Sequence, residues 1–473
     1  MIKKIFINFV YAFGSNIITL IVSVIVTLIL PKAISVNEYA LIQLYTFYSV
    51  YIGVFGFGLP EGMLINYAGT DYSRVDKSFL GKQVQLLTAL ECVLVIIGML
   101  GCIMCIKDPD KRIVFSLCTI SFLAIIPRLL ILNVLQATSR FKEYAKAIVI
   151  EKSAYLIISV VLILMGVSRF YWYVVAIIIG YILSTIYCVY QTIDLFQCLE
   201  KISLLERRVI KECLLNMRVG IKILFATLSS SLVVGIVRIG IEVEWDVETF
   251  GKLSLTISIA NLLMVFVSAV ATIMLPTLRK TDVSIYEKVY NMSRCCIMTV
   301  LLSALLAYYP IKELLSAWLP EYSESLRYMA LLFPMCVYSS KSSMLIEPYL
   351  KNFHKEKWLL LINVITVLLS AITTFLTTFW LHNLDLAVVS IVFLLAFRCV
   401  FAELMLSKVM DINVKTDIVL ELCLTIIFIG ASWYVGGMVG LSIYAVAYLA
   451  YLFIKRKDVA FVANTALRLL RRS

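Results

Sequence analysis

Histidine is nearly missing from this chain: there are two in 473 residues, His354 and His382. There is also no HExxH pair, no Walker-type glycine loop and no GxSxG, which removes the common zinc-hydrolase, nucleotide-hydrolase and serine-hydrolase readings. Charged side chains are scarce, 15% of residues, against about 25% in soluble domains. That is too little polar surface to clothe a soluble globule. Twelve cysteines are scattered, mostly through apolar segments. The CxxC spacing of Cys102-Ile103-Met104-Cys105 lies in an apolar run with no second pair and no His partner, so helix packing accounts for it better than metal or redox chemistry.

What the chain has instead is hydrocarbon. Hydrophobic residues make up 62% and the mean hydropathy is +0.97. They recur in runs of about 20 residues, the length that crosses about 30 Å of hydrocarbon as a helix. A β-barrel would show short alternating segments. The expectation is an all-α polytopic membrane protein of about 14 transmembrane helices. Lys3-Lys4 followed by an apolar run to Leu30 resembles a signal peptide. The run is too long for one, and no small-residue cleavage site follows, so it reads as an uncleaved first span.

The net charge of +12 fits Lys and Arg crowding cytoplasmic loops better than it fits nucleic acid. With the N-terminus inside, the basic loops fall on the cytoplasmic side and the acidic loop Glu242 to Glu248 falls outside. Both termini are then cytoplasmic and the span number is even. The external loops are short, which argues against a polymerase or ligase that must hold catalytic groups outside the membrane.

The expected organisation is an N-terminal six-helix lobe (1–193), an amphipathic interfacial linker (194–218), a C-terminal six-helix lobe (219–410), and two extra helices with a basic tail (411–473). The second span contains Gly53, Gly56, Gly58 and Pro60 and should be bent. Two halves share landmarks. Glu38-Tyr39-Ala40 and, much later, Arg140-Phe141-Lys142 are matched at nearly the same separation by Thr249-Phe250-Gly251 and Asn352-Phe353-His354. Asn8 and Asn216 are plausible counterparts. An even number of spans separates the counterparts, so the repeat is parallel, with its axis along the membrane normal. Two pseudo-symmetric six-helix bundles across a cavity follow.

Ionisable residues inside spans are costly, at least about 2.5–3.5 kcal/mol each on insertion scales, and mark function or pairing. The cations are Arg128, Lys152, Arg238, Lys341 and Arg398; the candidate anions are Glu61, Glu91, Glu151, Glu347, Glu403 and Glu421. Arg128 and Lys341 lie at equivalent places in the two halves, close to the midplane. Two roles fit them: bridging buried carboxylates, or replacing the hydration of an anionic cargo. Lys152 and Arg238 are further cargo candidates. Glu151 and Lys152, being adjacent, should point to different sides of their helix. Local structural roles suit Arg398 and Glu403. Glu61, after Gly58-Leu59-Pro60, could bind a coupling proton or sodium ion, or simply face a turn; no other cofactor and no metal is expected.

Leu30-Pro31-Lys32 with Glu38-Tyr39, Leu135-Gln136-Ala137 with Arg140 to Tyr144, and Glu248 to Gly251 resemble the oligosaccharide (Wzx-type) flippases of the multidrug/oligosaccharidyl-lipid/polysaccharide exporter (MOP) superfamily. The resemblance spans essentially the whole chain on short loop motifs. It implies alternating access in a bacterial inner membrane, no enzymatic activity, and an undecaprenyl-diphosphate-linked oligosaccharide as cargo. Membrane lipids and a polysaccharide polymerase are the implied partners. A lipid II flippase also has fourteen spans, but this chain lacks arginines in its first span and an arginine-rich second span. A drug or cation antiporter of the same fold would prefer an acidic, aromatic cavity.

Overall fold

The computed structural model describes residues 2–197, 206–278 and 285–461. Every regular element is helical, and the chain divides into two compact units, residues 1–228 and 229–473. Twelve described helices are long and apolar enough to cross a membrane, thirteen if one bent pair counts as a single span. The 32-residue helix Val247–Leu278 stands where the eighth span is expected.

In the first unit α1 (Ile2–Ala33) is followed by α2 (Val36–Ser49), whose N-terminus is capped by the Ser35 hydroxyl. The expected bend follows. A 3₁₀ turn, Ile52–Gly56, leads to Phe57 and Gly58, both at positive φ, and then to α3 (Leu59–Asn66). The two pieces meet at 63°. Gly58 takes a left-handed conformation (φ 78°), and Pro60 sits in the first turn of α3, where its missing N–H costs nothing. Asp76 caps α4 (Lys77–Cys105), and Asp108 with Pro109 opens α5 (Pro109–Ala137). Then come α6 (Phe141–Leu164), α7 (Phe170–Gln191) and a single turn, α8 (Asp194–Gln197).

The expected interfacial linker takes a different form. Residues 198–205 of that segment lie outside the described residues. From Arg207 it is the start of one continuous 38-residue helix, α9 (Arg207–Glu244), which also supplies the seventh span and contains the division between the units. Its first turns bury Val209 and Cys213 in the core of the first unit beside Leu195, Leu80 and Met63.

Glycines set how α9 meets α3. A Cβ at Gly62 would lie 2.0 Å from the Asn216 carbonyl oxygen, and one at Gly220 would lie 1.8 Å from the Gly58 oxygen. This is the close backbone approach that small residues four apart permit in membranes. Asn216 then bridges three helices, donating to Gln83 Oε1 (2.8 Å) and accepting from Asn66 Nδ2 (2.5 Å). Gly62→Val should therefore cost about 3 kcal/mol, the upper range for overpacking. A lowered thermal midpoint of the detergent-solubilised protein is the readout; an unchanged midpoint would remove the close-approach account.

In the second unit Asp246 caps α10 (Val247–Leu278), its carboxylate accepting from Thr249 N at 2.6 Å. α11 (Tyr286–Ala304) continues through a 3₁₀ turn into α12 (Tyr308–Trp318). The tenth span, 325–352, is the most buried and the least regular. A 3₁₀ turn leads into α13 (Met329–Leu332); Pro334 follows, then α14 (Met335–Lys341), a π-helical turn Ser342–Ile346, and α15 (Glu347–Asn352). Pro334 and Pro348 each lack the N–H a regular ladder needs, and π turns recur at functional positions. α16 (Glu356–Thr374) and α17 (Leu384–Met410) complete the set.

α18 (Lys415–Gly430) and α19 (Gly437–Ile454) form the expected final hairpin. They are joined through a π turn and Gly436-Gly437, both glycines at positive φ. They dock on α11 and α12 through tyrosine hydroxyls: Tyr444 donates to the Leu302 carbonyl (2.8 Å), Tyr448 to Thr299 (3.0 Å), and Tyr309 pairs with Ser432 (3.0 Å). The basic end of the tail, from 462, lies outside the described residues.

Candidate functional site

Among the described residues each unit carries a buried ionic cluster on its long apolar helices, and the two differ in charge balance.

In the first unit Arg128 projects from α5 toward α6 and α7. Its Nε donates to Ser184 Oγ (2.8 Å), its Nη2 pairs with Glu151 Oε2, and its guanidinium lies 5.5 Å from the centre of the Tyr181 ring. Ser184 in turn donates to the Ala147 carbonyl (2.8 Å). α6 and α7 are drawn together at Gly180, where a Cβ would meet the Glu151 carbonyl at 2.8 Å. Lys152 joins the cluster, its Nζ 2.7 Å from Glu151 Oε1. Adjacency on the helix does not keep Glu151 and Lys152 apart, because the four-carbon lysine stem curls back around the helix. Among the described residues two cations thus share one carboxylate, leaving one positive charge in excess. The Lys152 side chain is 30% exposed, against 11% for Arg128.

In the second unit the charges balance. Lys341, 1% exposed at the end of α14, contacts Glu403 of α17 and Glu421 of α18, the latter at 2.6 Å. Arg294 of α11 holds the other oxygens of the same pair: Nε to Glu403 at 2.7 Å and Nη2 near Glu421 at 2.8 Å, the second a charge contact without hydrogen-bond alignment. Tyr290 donates to Glu403 as well (3.0 Å). Toward solvent Arg294 Nη1 meets Asp417 (2.7 Å), and Asp417 meets Lys455 (2.5 Å) just past α19. Partial burial acts against the Lys455 charge, but its hydrogen bonds to Asp417 and Asp458 prevail and raise its hold on its proton. A cleft of about 790 Å³ opens at this end, lined by Glu287, Lys288, Asn291, Asp417, Lys455 and Lys457 among others. Three cations alternate with three carboxylates from sealed interior to open rim, tying the final hairpin to α11, α14 and α17.

The remaining sequence candidates lie elsewhere. Arg238 on α9 donates to Ser254 Oγ (2.7 Å) and rests 5.1 Å from the centre of the Phe250 ring. Arg398 pairs with Glu347 (3.3 Å), while Glu403, grouped with it by sequence proximity, turns to Lys341 and Arg294 instead. Glu61 lies in the first turn of α3, partly buried, with Oε2 lacking a hydrogen-bond partner among the described residues. Among the described residues no cluster of His, Cys, Asp or Glu is arranged to hold a metal ion.

Arg294 is not among the in-span cations expected from the sequence, because the apolar run of its helix begins only there. α11 starts at Tyr286, which places Arg294 two turns inside. Glu287 and the polar Asn291 and Ser293 diluted the apolar signal there. Asp417 and Lys455, at helix ends, carried no signal of partnership.

No protein-family signature and no curated protein sequence matches the chain. Solved structures do. "Lipid II flippase MurJ, inward closed conformation" aligns with a TM-score of 0.65 at 12% identity, covering 96% of this chain and 100% of that one. An inward-facing multidrug resistance MATE family transporter of the MOP superfamily aligns with a TM-score of 0.62 at 12% identity, covering 84% and 99%. An outward-facing MATE family transporter aligns at 0.53 and 12%, covering 87% and 95%. The chain shares the fold of these solved structures, which are named as a lipid II flippase and as MATE family transporters of the MOP superfamily.

Proposed function

We propose that this protein is a flippase that moves an undecaprenyl-diphosphate-linked oligosaccharide from the cytoplasmic to the outer leaflet of a bacterial inner membrane by alternating access, for surface polysaccharide assembly. The observation that carries this reading is the uncompensated cation in the first unit. Arg128 and Lys152 face one carboxylate, Glu151, within the membrane spans. A buried excess charge persists where an opposite charge meets it during function. A diphosphate supplies that charge: the Arg fork matches its oxygens, and the more exposed Lys152 acts as a point charge.

The loop motifs at Glu38-Tyr39, Arg140 to Tyr144 and Thr249 to Gly251 support an oligosaccharide rather than a peptidoglycan precursor. A cationic drug would meet repulsion at the Arg128–Lys152 cluster. In this reading Lys341 serves the balanced lock of the second unit, and Arg238, held by Ser254 and Phe250, is proposed as a third cation that meets cargo. Fourteen spans, cytoplasmic termini and a polysaccharide polymerase as partner complete the proposal.

Deleting the gene in its host should abolish surface glycan and accumulate the lipid-linked repeat unit, with restoration by the wild-type chain. Unchanged surface glycan together with altered drug efflux would transfer the protein to the multidrug reading.

A further inference from the structure

Glu91 is the midpoint of α4, a 29-residue helix long and apolar enough to span a membrane. It is completely buried. Neither carboxylate oxygen has a hydrogen-bond partner among the described residues. Leu87, one turn before it, and Val95, one turn after it, share its face and pack into the core that holds Phe122, Ile126 and Leu130 of α5. The carboxyl therefore points into hydrocarbon packing.

Among the described residues no ion pair reaches it. The elements packed most against α4 are α5 and α8. Their ionisable groups are Asp110, Lys111, Arg112, Cys118 and Arg128 on α5, and Asp194 on α8. Asp110 to Arg112 open α5, Arg128 is committed to Glu151, and Asp194 pairs with Lys77 at the start of α4. Glu212 and Cys213 of α9 lie near the same end of α4, beside Asn216 and Gln83. On α4 itself Lys82 is bonded to Gln85 (3.5 Å), and Cys92 and Cys102 are outside the buried face. Among the described residues none of these groups is hydrogen-bonded or ion-paired to the Glu91 carboxyl.

An ionised carboxylate in such a place has nothing to replace its hydration. A bound alkali or divalent cation would gather several further oxygens around itself, and among the described residues no group of His, Cys, Asp or Glu is arranged to hold one. The ligand that fits is a proton.

We propose that Glu91 is a proton-binding site, neutral while α4 and α5 are packed, whose deprotonation accompanies their separation. In the packed state the carboxyl O–H bond is intact. When α4 parts from α5 and water enters, that bond breaks, the proton passes to water, and the hydrated carboxylate holds the helices apart. Reprotonation permits repacking. The proposal assigns the first unit a titratable conformational element and needs no particular cargo.

The test uses the full chain reconstituted in phosphatidylethanolamine/phosphatidylglycerol vesicles, wild type beside Glu91→Gln and Glu91→Asp. Infrared difference spectra should show, at neutral pH, a protonated-carboxyl carbonyl band in the wild type that is missing from Glu91→Gln. Amide hydrogen exchange of α4 and α5, corrected for intrinsic rate, should speed up at least about tenfold in the wild type as pH rises and stay flat in Glu91→Gln, since local opening sets exchange. Glu91→Asp should retain the pH response. A band unaffected by Glu91→Gln, or equal pH responses in wild type and Glu91→Gln, would overturn the proposal. Neither readout involves cargo, so its failure is separable from failure of the flippase reading.

Discussion

Glu403→Leu is expected to leave little folded protein in the membrane. Glu403 is fully buried, and it accepts from Arg294 Nε, Tyr290 and Lys341. Replacing it leaves three cations, Lys341, Arg294 and Lys455, with the two carboxylates of Glu421 and Asp417, an uncompensated charge in a buried part of the second unit. Breaking a buried pair in this way costs about 3–5 kcal/mol, a large part of the about 5–15 kcal/mol that holds a domain folded. The companion change distinguishes charge from packing. In Lys341→Met/Glu403→Leu, Arg294 and Glu421 remain as a neutral pair and apolar side chains fill the volume. That double variant should regain at least half of the lost thermal midpoint, and in similar settings such replacement is neutral or stabilising. Thermal unfolding followed by size-exclusion of the solubilised protein reads both. Glu403→Leu melting like the wild type would show that the cluster does not hold the final hairpin to its unit.

The second large effect is expected at Lys152 and should appear in transport, with stability nearly untouched. Lys152→Gln leaves Arg128 bonded to Glu151 and Ser184, so α5, α6 and α7 stay joined, but the cluster becomes neutral. Lys152→Glu makes it net negative. A charge-assisted contact to phosphate contributes about 1.5–3 kcal/mol, so export should fall about 10- to 100-fold in Lys152→Gln and further in Lys152→Glu, at unchanged membrane abundance. Arg128→Ala, by contrast, should lower both export and thermal stability, because it removes the ligand of Ser184 and Glu151 as well as the charge. Export of surface glycan alongside abundance separates the two. Lys152→Glu exporting like the wild type would exclude the cluster from cargo handling.

Much of the fold was legible because membrane helices declare themselves by length and hydropathy. The bend at Gly58-Leu59-Pro60 was equally visible, since it depends on local backbone chemistry. The sequence does not show partnership between charges. Lys341 and Arg128 occupy equivalent positions and look alike along the chain, yet Lys341 meets two carboxylates and Arg128 shares one. That difference comes from Glu403 and Glu421, on helices far along the chain, and from Arg294, hidden by an uncharacteristically polar start to α11. The amphipathic stretch before the seventh span is ambiguous for a related reason: its apolar stripe suits a membrane surface and a protein core alike, and Val209 and Cys213 pack into a core.

The central claim is that the uncompensated cation of the first unit receives a diphosphate. Its most direct test is the binding of undecaprenyl diphosphate and undecaprenyl monophosphate to the purified chain in nanodiscs, wild type against Lys152→Gln. The account predicts that the wild type prefers the diphosphate at least about tenfold, as an added charge-assisted contact requires, that added salt erodes this preference, and that Lys152→Gln loses it while binding the monophosphate much as before. Equal affinity of the wild type for both lipids, or a preference that survives in Lys152→Gln, would contradict it.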